Sequence, residues 1–314
     1  MLAESESRLV AEGFGVYEHD WRYFSSFLGE PFLVGNLLAY FDGSFLYICC
    51  FPLGDVETEV SADELMHVAS QQEFQAAGAV DVWGRFAAVD TLRLQSRRLP
   101  RIKYTDYAPS SFDVYIDLRT FDRQDVRGAR LAWNAVRNRG VVGRATSLDY
   151  LDAEHVVLVE DWLRAHDISS VHASIVAGLT AEIRAQQAVV FEALADDGAI
   201  IGFAITTVCS RDVAVLHHLF SNNAKGSRAA DCLLGTAIDF FQNQGIRRLH
   251  LGYSYTSSLL RFKRKWGAVN ECPRYREAFY TDSSTLGGLI RVGQFLWASR
   301  VAGGVRGTPV STAL

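Results

Sequence analysis

The clearest pattern in the chain lies in its second half. Ala230, Leu233, Leu234, Ala237, Ile238 and Phe241 stand at offsets 0, 3, 4, 7, 8 and 11. That rhythm puts them on one face of an amphipathic helix over 228–244. Gly245 sits where a helix commonly ends on a left-handed residue, and 248–253 then reads as a strand that alternates as far as Gly252. Upstream, three apolar runs at 189–194, 200–208 and 213–220 are separated by Asp196-Asp197-Gly198 and Ser210-Arg211-Asp212. Such punctuation predicts an antiparallel meander. Helices are expected over 152–165, with Val156, Val159, Trp162 and Leu163 inward, and over 180–187.

The first half is more mixed. Asp42-Gly43 between the apolar runs 37–40 and 45–48 is a hairpin signal. Ser61 with Glu64 three residues on forms a capping box for a helix reaching about Ala77. Strands are expected at 80–83 and 112–118, and a helix over 122–138 with Val126, Ala129, Trp133 and Val136 as its stripe. Seven arginines against two acids lie between Arg119 and Arg144. They form either a solvated helix face or a surface that meets phosphate.

Composition narrows the class. With 314 residues, 49% hydrophobic and 21% charged, the chain suits about two globular domains with full cores. No window of about 18 apolar residues predicts a membrane span. The acidic start lacks the basic-then-apolar layout of a signal peptide. Five cysteines without paired spacing read as reduced packing residues, and with the start they imply a cytoplasmic protein. No metal-ligand spacing, phosphate-binding P-loop, HExxH pair or serine nucleophile elbow occurs, so neither a metal nor a bound cofactor is expected. The net charge of −5 divides unevenly. Residues 1–210 hold 17 Lys+Arg and 30 Asp+Glu, a net of −13, and the remaining 14 and 6 leave +8 on 211–314. The basic part can face an anionic ligand or answer the acidic part.

Candidate chemistry falls in that basic part. The loop Ser221-Asn222-Asn223-Ala224-Lys225-Gly226-Ser227-Arg228 opens the amphipathic helix, where free N–H groups and the helix dipole favour an anion. A meander, this loop, a helix and a strand ending in Gly-Tyr resemble the core of the GNAT acyltransferase superfamily. In that family the loop holds the pyrophosphate of acyl-CoA in an Arg/Gln-x-x-Gly-x-Gly/Ala pattern. Gly226 matches, while Asn223 and Arg228 depart from the pattern.

The stretch Ser257-Ser258-Leu259-Leu260-Arg261-Phe262-Lys263-Arg264-Lys265-Trp266-Gly267-Ala268 follows Leu249-His250-Leu251-Gly252. Together they resemble the "DLGG … L..FK..FG" ending of FemAB/FemX-like aminoacyltransferases, and the related C-terminal domain of lysyl-phosphatidylglycerol synthases. At motif level the likeness covers 110–280, including Tyr115-Ile116-Asp117-Leu118 and the basic helix ending at Gly140. It implies an α/β fold of tandem GNAT-like domains, 1–145 and 146–314, with mixed, mostly antiparallel sheets flanked by helices and the donor site and "FK" motif in the second domain. It implies an amide-forming acyl transfer from aminoacyl-tRNA to an amine acceptor, a small molecule among those open. The lysine of the "FK" motif falls on Lys263, as the group that stabilises the oxyanion. Lys225, Gly226, Ser227, Arg228, Arg261, Phe262 and Lys265 become donor-binding candidates. Tyr253 and His217 are candidate catalytic groups beside His218 and Tyr255, although an acceptor arriving as a neutral amine needs no base. Two alternatives stand: an acyl-CoA-dependent N-acyltransferase and a non-catalytic GNAT-like binding module. The oligomeric state is open.

Overall fold

In the computed structural model the described residues are 19–43, 45–50, 79–84, 112–148, 151–166, 188–221, 228–254, 256–273 and 275–280, with single positions between. Helix α1 is Trp21–Leu28, followed by strands β1 (Glu30–Val34), β2 (Leu37–Phe41), β3 (Phe45–Cys50), β4 (Ala79–Gly84) and β5 (Phe112–Asp117). Next come α2 (Arg127–Arg137), β6 (Val142–Thr146), α3 (Ala153–His166) and the meander β7 (Val189–Leu194), β8 (Ile200–Val208) and β9 (Val213–Ser221). The chain then forms α4 (Ala229–Asn243), β10 (Arg248–Ser254), α5 (Ser257–Lys265), β11 (Val269–Pro273) and β12 (Tyr275–Tyr280).

The strands form two sheets, ordered β1-β2-β3-β4-β12 and β11-β5-β10-β9-β8-β7-β6. Pairing is antiparallel except between β3 and β4 and between β9 and β10. The fold is thus α/β, with two mixed, mostly antiparallel sheets flanked by helices. The sheets do not divide at 145/146. Strand β5 inserts between β10 and β11 of the larger sheet, and β12 returns to pair with β4 of the smaller one.

The meander and the helix after it lie where the apolar rhythm puts them. Leu233, Leu234, Ala237, Ile238 and Phe241 are buried on α4 and pack with Ala129, Ala132 and Val136 of α2 against one face of the larger sheet. The other face is covered by α3, through Leu158 and Val159, and by α1, whose Tyr23, Phe24 and Leu28 reach Val213 and Val215 of β9. Asp20 caps α1 by accepting the Tyr23 N–H.

Several elements depart from the sequence reading. Helix α2 starts at Arg127 rather than 122, because Asp122 Oδ1 accepts the Gln124 N–H at 2.7 Å and holds a turn there. Segment 257–265 is a helix, capped by the Thr256 hydroxyl on the Leu259 N–H. Elements α1, β1, β6, β11 and β12 are additions. The expected helices over 61–77 and 180–187 lie mostly outside the described residues; Glu64, His67, Val68 and Ile183 within them are helical.

Candidate functional site

Two strands part at the centre of the larger sheet. Strand β10 pairs in parallel with β9 only from Arg248 to His250, against Val213 to Val215. Beyond that point β9 continues to Ser221 beside β8, while β10 follows β5 through an irregularity between His250 and Tyr253. Gly252 at this irregularity has φ 62°, a conformation that glycine adopts without steric cost.

Lys263 closes on this place. It lies on α5, is 5% exposed, and its Nζ donates to the Gly252 carbonyl at 3.0 Å. The helix that carries it is tied down by Asp231, a buried carboxylate in the first turn of α4. Asp231 accepts the Lys265 ammonium and, at 3.0 Å, the Trp266 indole N–H, and pairs with Arg228 at 3.3 Å. A negative side chain is well placed at this dipole-positive end. Trp266 is fully buried and meets Trp133 of α2 edge to face, with ring centroids 6.4 Å apart. Lys265 also lies 4.8 Å over the Phe262 ring.

Of the expected site residues, the structure brings Lys263, Lys265, Phe262 and Arg228 to the facing ends of α4, α5 and β10. Arg261 is exposed on α5. Lys225, Gly226 and Ser227, and the Tyr253 side chain, lie outside the described residues, although the Tyr253 backbone pairs with Asp113 in the sheet. Arg228 is the one non-glycine residue with positive φ, 57°, among the described residues, and its side chain does not cap α4.

His217 stands elsewhere. The pairing of β8 with β9 shifts between Ile205 and Thr206, so Ile205 faces His218 and Thr206 faces Leu216. His217 is the extra residue of a bulge. As a result His217 and His218 both reach Tyr23, at centroid distances of 4.4 and 5.8 Å, where strict alternation would send them to opposite faces. The His217 side chain is fully buried, and its Nε2 lies 3.0 Å from Asp20 Oδ2 and 2.7 Å from Thr207 Oγ1. Cys209 donates to the same Asp20 oxygen at 3.0 Å. Burial would raise the Asp20 pKa, but the hydrogen bond and charge of His217, with the Cys209 thiol and the Tyr23 N–H, outweigh it and leave the carboxyl below 3.8. Burial and the Asp20 charge push the Cys209 thiol well above 9.0.

These features define the class of fold: two mixed, mostly antiparallel sheets flanked by helices, with central parallel strands that part beside a helix N-terminus. Among solved structures the chain is similar to FemX, with a TM-score of 0.58 at 12% identity over 92% of this chain and 98% of that one. It is also similar to L-PGS from Bacillus licheniformis, with a TM-score of 0.53 at 16% identity over 95% and 97%. At these identities the likeness establishes a shared fold. No sequence model of a protein family matches the chain, and no curated protein matches it. No described helix is long and apolar enough to cross a membrane.

Proposed function

We propose that this protein transfers an aminoacyl group from aminoacyl-tRNA to an amine acceptor, forming an amide. The observation that carries the reading is Lys263, a buried cation-bearing side chain held at Gly252 where β9 and β10 part. Attack of an amine on the aminoacyl ester develops negative charge on the carbonyl oxygen. A fixed donor in a water-poor place stabilises that oxygen without reorganising during the step. The free amine supplies the electron pair, the tRNA 3′ hydroxyl leaves, and the proton passes from amine to leaving group. No side chain is assigned as base, since the amine can arrive neutral.

A tRNA donor suits this site better than acyl-CoA. A pyrophosphate needs close approach to backbone N–H groups at the start of α4. Here Arg228 brings a long side chain to the N-cap and Asp231 a carboxylate to the first turn.

The test pairs chemistry with a variant. Purified protein is incubated with charged total tRNA and, separately, with acetyl-CoA, reading deacylation and thiol release. Lys263→Ala should lower kcat by about 100- to 1,000-fold, the range for a lost oxyanion donor, with a much smaller change in KM. Unchanged turnover in the variant would remove Lys263 from the mechanism. Thiol release without tRNA deacylation would replace the donor.

A further inference from the structure

Away from Lys263 lies a cluster of buried and half-buried donor atoms that the reaction above does not use. Asp20 comes from the start of α1, Thr207 from β8, Cys209 from the turn after it and His217 from the β9 bulge. We propose that Asp20, Cys209 and His217 bind a divalent metal ion of the zinc type, with the Thr207 hydroxyl beside the fourth position.

The donor set is the first argument. One thiolate, one imidazole and one carboxylate suit zinc, which takes four ligands tetrahedrally. The three ligating atoms lie within 4.8 Å of one another. Thr207 Oγ1 is 2.7 Å from His217 Nε2, 3.1 Å from Asp20 Oδ2 and 3.3 Å from Cys209 Sγ. Zinc bonds of about 2.0–2.3 Å at tetrahedral angles put neighbouring ligand atoms roughly 3.3–3.6 Å apart. Asp20 Oδ2 already lies 3.0 Å from both Cys209 Sγ and His217 Nε2, close to that spacing, so the side chains need to spread only slightly around an ion.

Charge balance is the second argument. A divalent ion with one carboxylate and one thiolate is neutral overall, as a buried site requires. On binding, the Cys209 thiol releases its proton to solvent as the metal–sulfur bond forms. His217 binds through Nε2 and keeps its proton on Nδ1. No electron changes hands. The ligands span the start of α1, which also packs on the smaller sheet, and the β8–β9 hairpin of the larger one. The ion would clamp the first described helix to the strand that parts from β10.

The experiment uses the full reduced chain, stripped with a chelator and titrated with Co(II) alone. We expect one Co(II) per chain, intense tetrahedral visible bands and a thiolate-to-cobalt band in the near ultraviolet, all displaced by Zn(II). Cys209→Ser should abolish the thiolate band and, with His217→Gln, weaken binding by about tenfold or more. Zn(II) should raise the Tm of the wild type, and at the same concentration raise that of Cys209→Ser by less, as linkage requires for an ion bound only by the folded state. If a variant fails to fold, the band and stoichiometry of the folded wild type still decide the matter. Absence of the band there, or its survival in folded Cys209→Ser, would overturn the proposal.

Discussion

Asp231 does more at this site than any other single carboxylate described, because two cations and an indole N–H converge on it. Lys265 and Arg228 keep solvent on one side, so their pairing with Asp231 is partly screened. The Trp266 N–H is buried, and removing its acceptor costs it a hydrogen bond that water cannot replace. Asp231→Ala should therefore destabilise the protein by about 1–3 kcal/mol in urea unfolding, the cost of a buried unsatisfied donor. Asp231→Asn keeps an acceptor and should lose less. Equal losses would show that the cations, not the indole, set the cost. The neighbouring Cys232 allows a pH test. Burial pushes its thiol to about 11, partly offset by the Thr236 hydroxyl and increased by the Asp231 charge. Folded above unfolded means that its contribution is complete below the ordinary 9.0 and is lost as pH rises from there toward 11. Between those values the wild type should lose stability faster than Cys232→Ala, by up to about 1.4 kcal/mol per pH unit. Parallel pH profiles would refute this origin of the pH dependence.

At the scale of elements, what the sequence revealed depended on how much of an element its own residues stabilise. Helix α4 was legible because one face carries an unbroken apolar series and Gly245 ends it. Strand β6, Val142-Gly143-Arg144-Ala145-Thr146, was not: it is an edge strand with Val142 exposed, and its glycine answers a neighbour. A Cβ at Gly143 would collide with Thr236 of α4. The bulge at His217 was equally hidden, since alternation predicts faces only while the register holds. Lys263, by contrast, could be singled out from its motif, but its Gly252 partner depends on the path of β10. Tight packing also sets a prediction for α4. Gly235 in mid-helix would ordinarily gain about 1 kcal/mol on becoming alanine. Here the added methyl meets the Trp133 ring and stands 3.0 Å from Trp266. Trp133 cannot retreat easily, because Arg123 stacks on it at 4.2 Å while paired with Asp239 at 2.5 Å. Overpacking costs about 1–3 kcal/mol, so Gly235→Ala should lower the Tm despite its better helix propensity. A raised Tm would mean that the tryptophan pair yields.

Across the whole molecule the chain interleaves, so segments on either side of 145/146 share both sheets. Strand β5 precedes the 145/146 division yet sits between β10 and β11, and β4 pairs on its far side from β3 with β12, almost two hundred residues later. Such pairings depend on tertiary packing that no local pattern records. The same interleaving joins two basic segments that are remote in sequence. Gly128 of α2 lies against the Lys265 backbone at the end of α5. Arg127 and Arg130 of α2 and Arg261 and Arg264 of α5 are exposed on these neighbouring helices, whereas Lys265 and Arg228 turn to Asp231. If tRNA is the donor, α2 and α5 together supply the cations that meet its phosphates. Its affinity should then fall steeply with salt, because each neutralised phosphate releases counterions. Replacing Arg127 and Arg130 together by glutamine should weaken tRNA binding at low salt. It should also reduce the slope of log affinity against log salt by about 0.7–0.9 for each phosphate that is no longer neutralised. Stability should change little, since both side chains are exposed. Filter binding or fluorescence titration with charged tRNA across a range of salt measures the slope directly. An unchanged slope with undiminished affinity would place the tRNA elsewhere on the molecule, while saturable acetyl-CoA binding with no tRNA binding would exclude tRNA as donor.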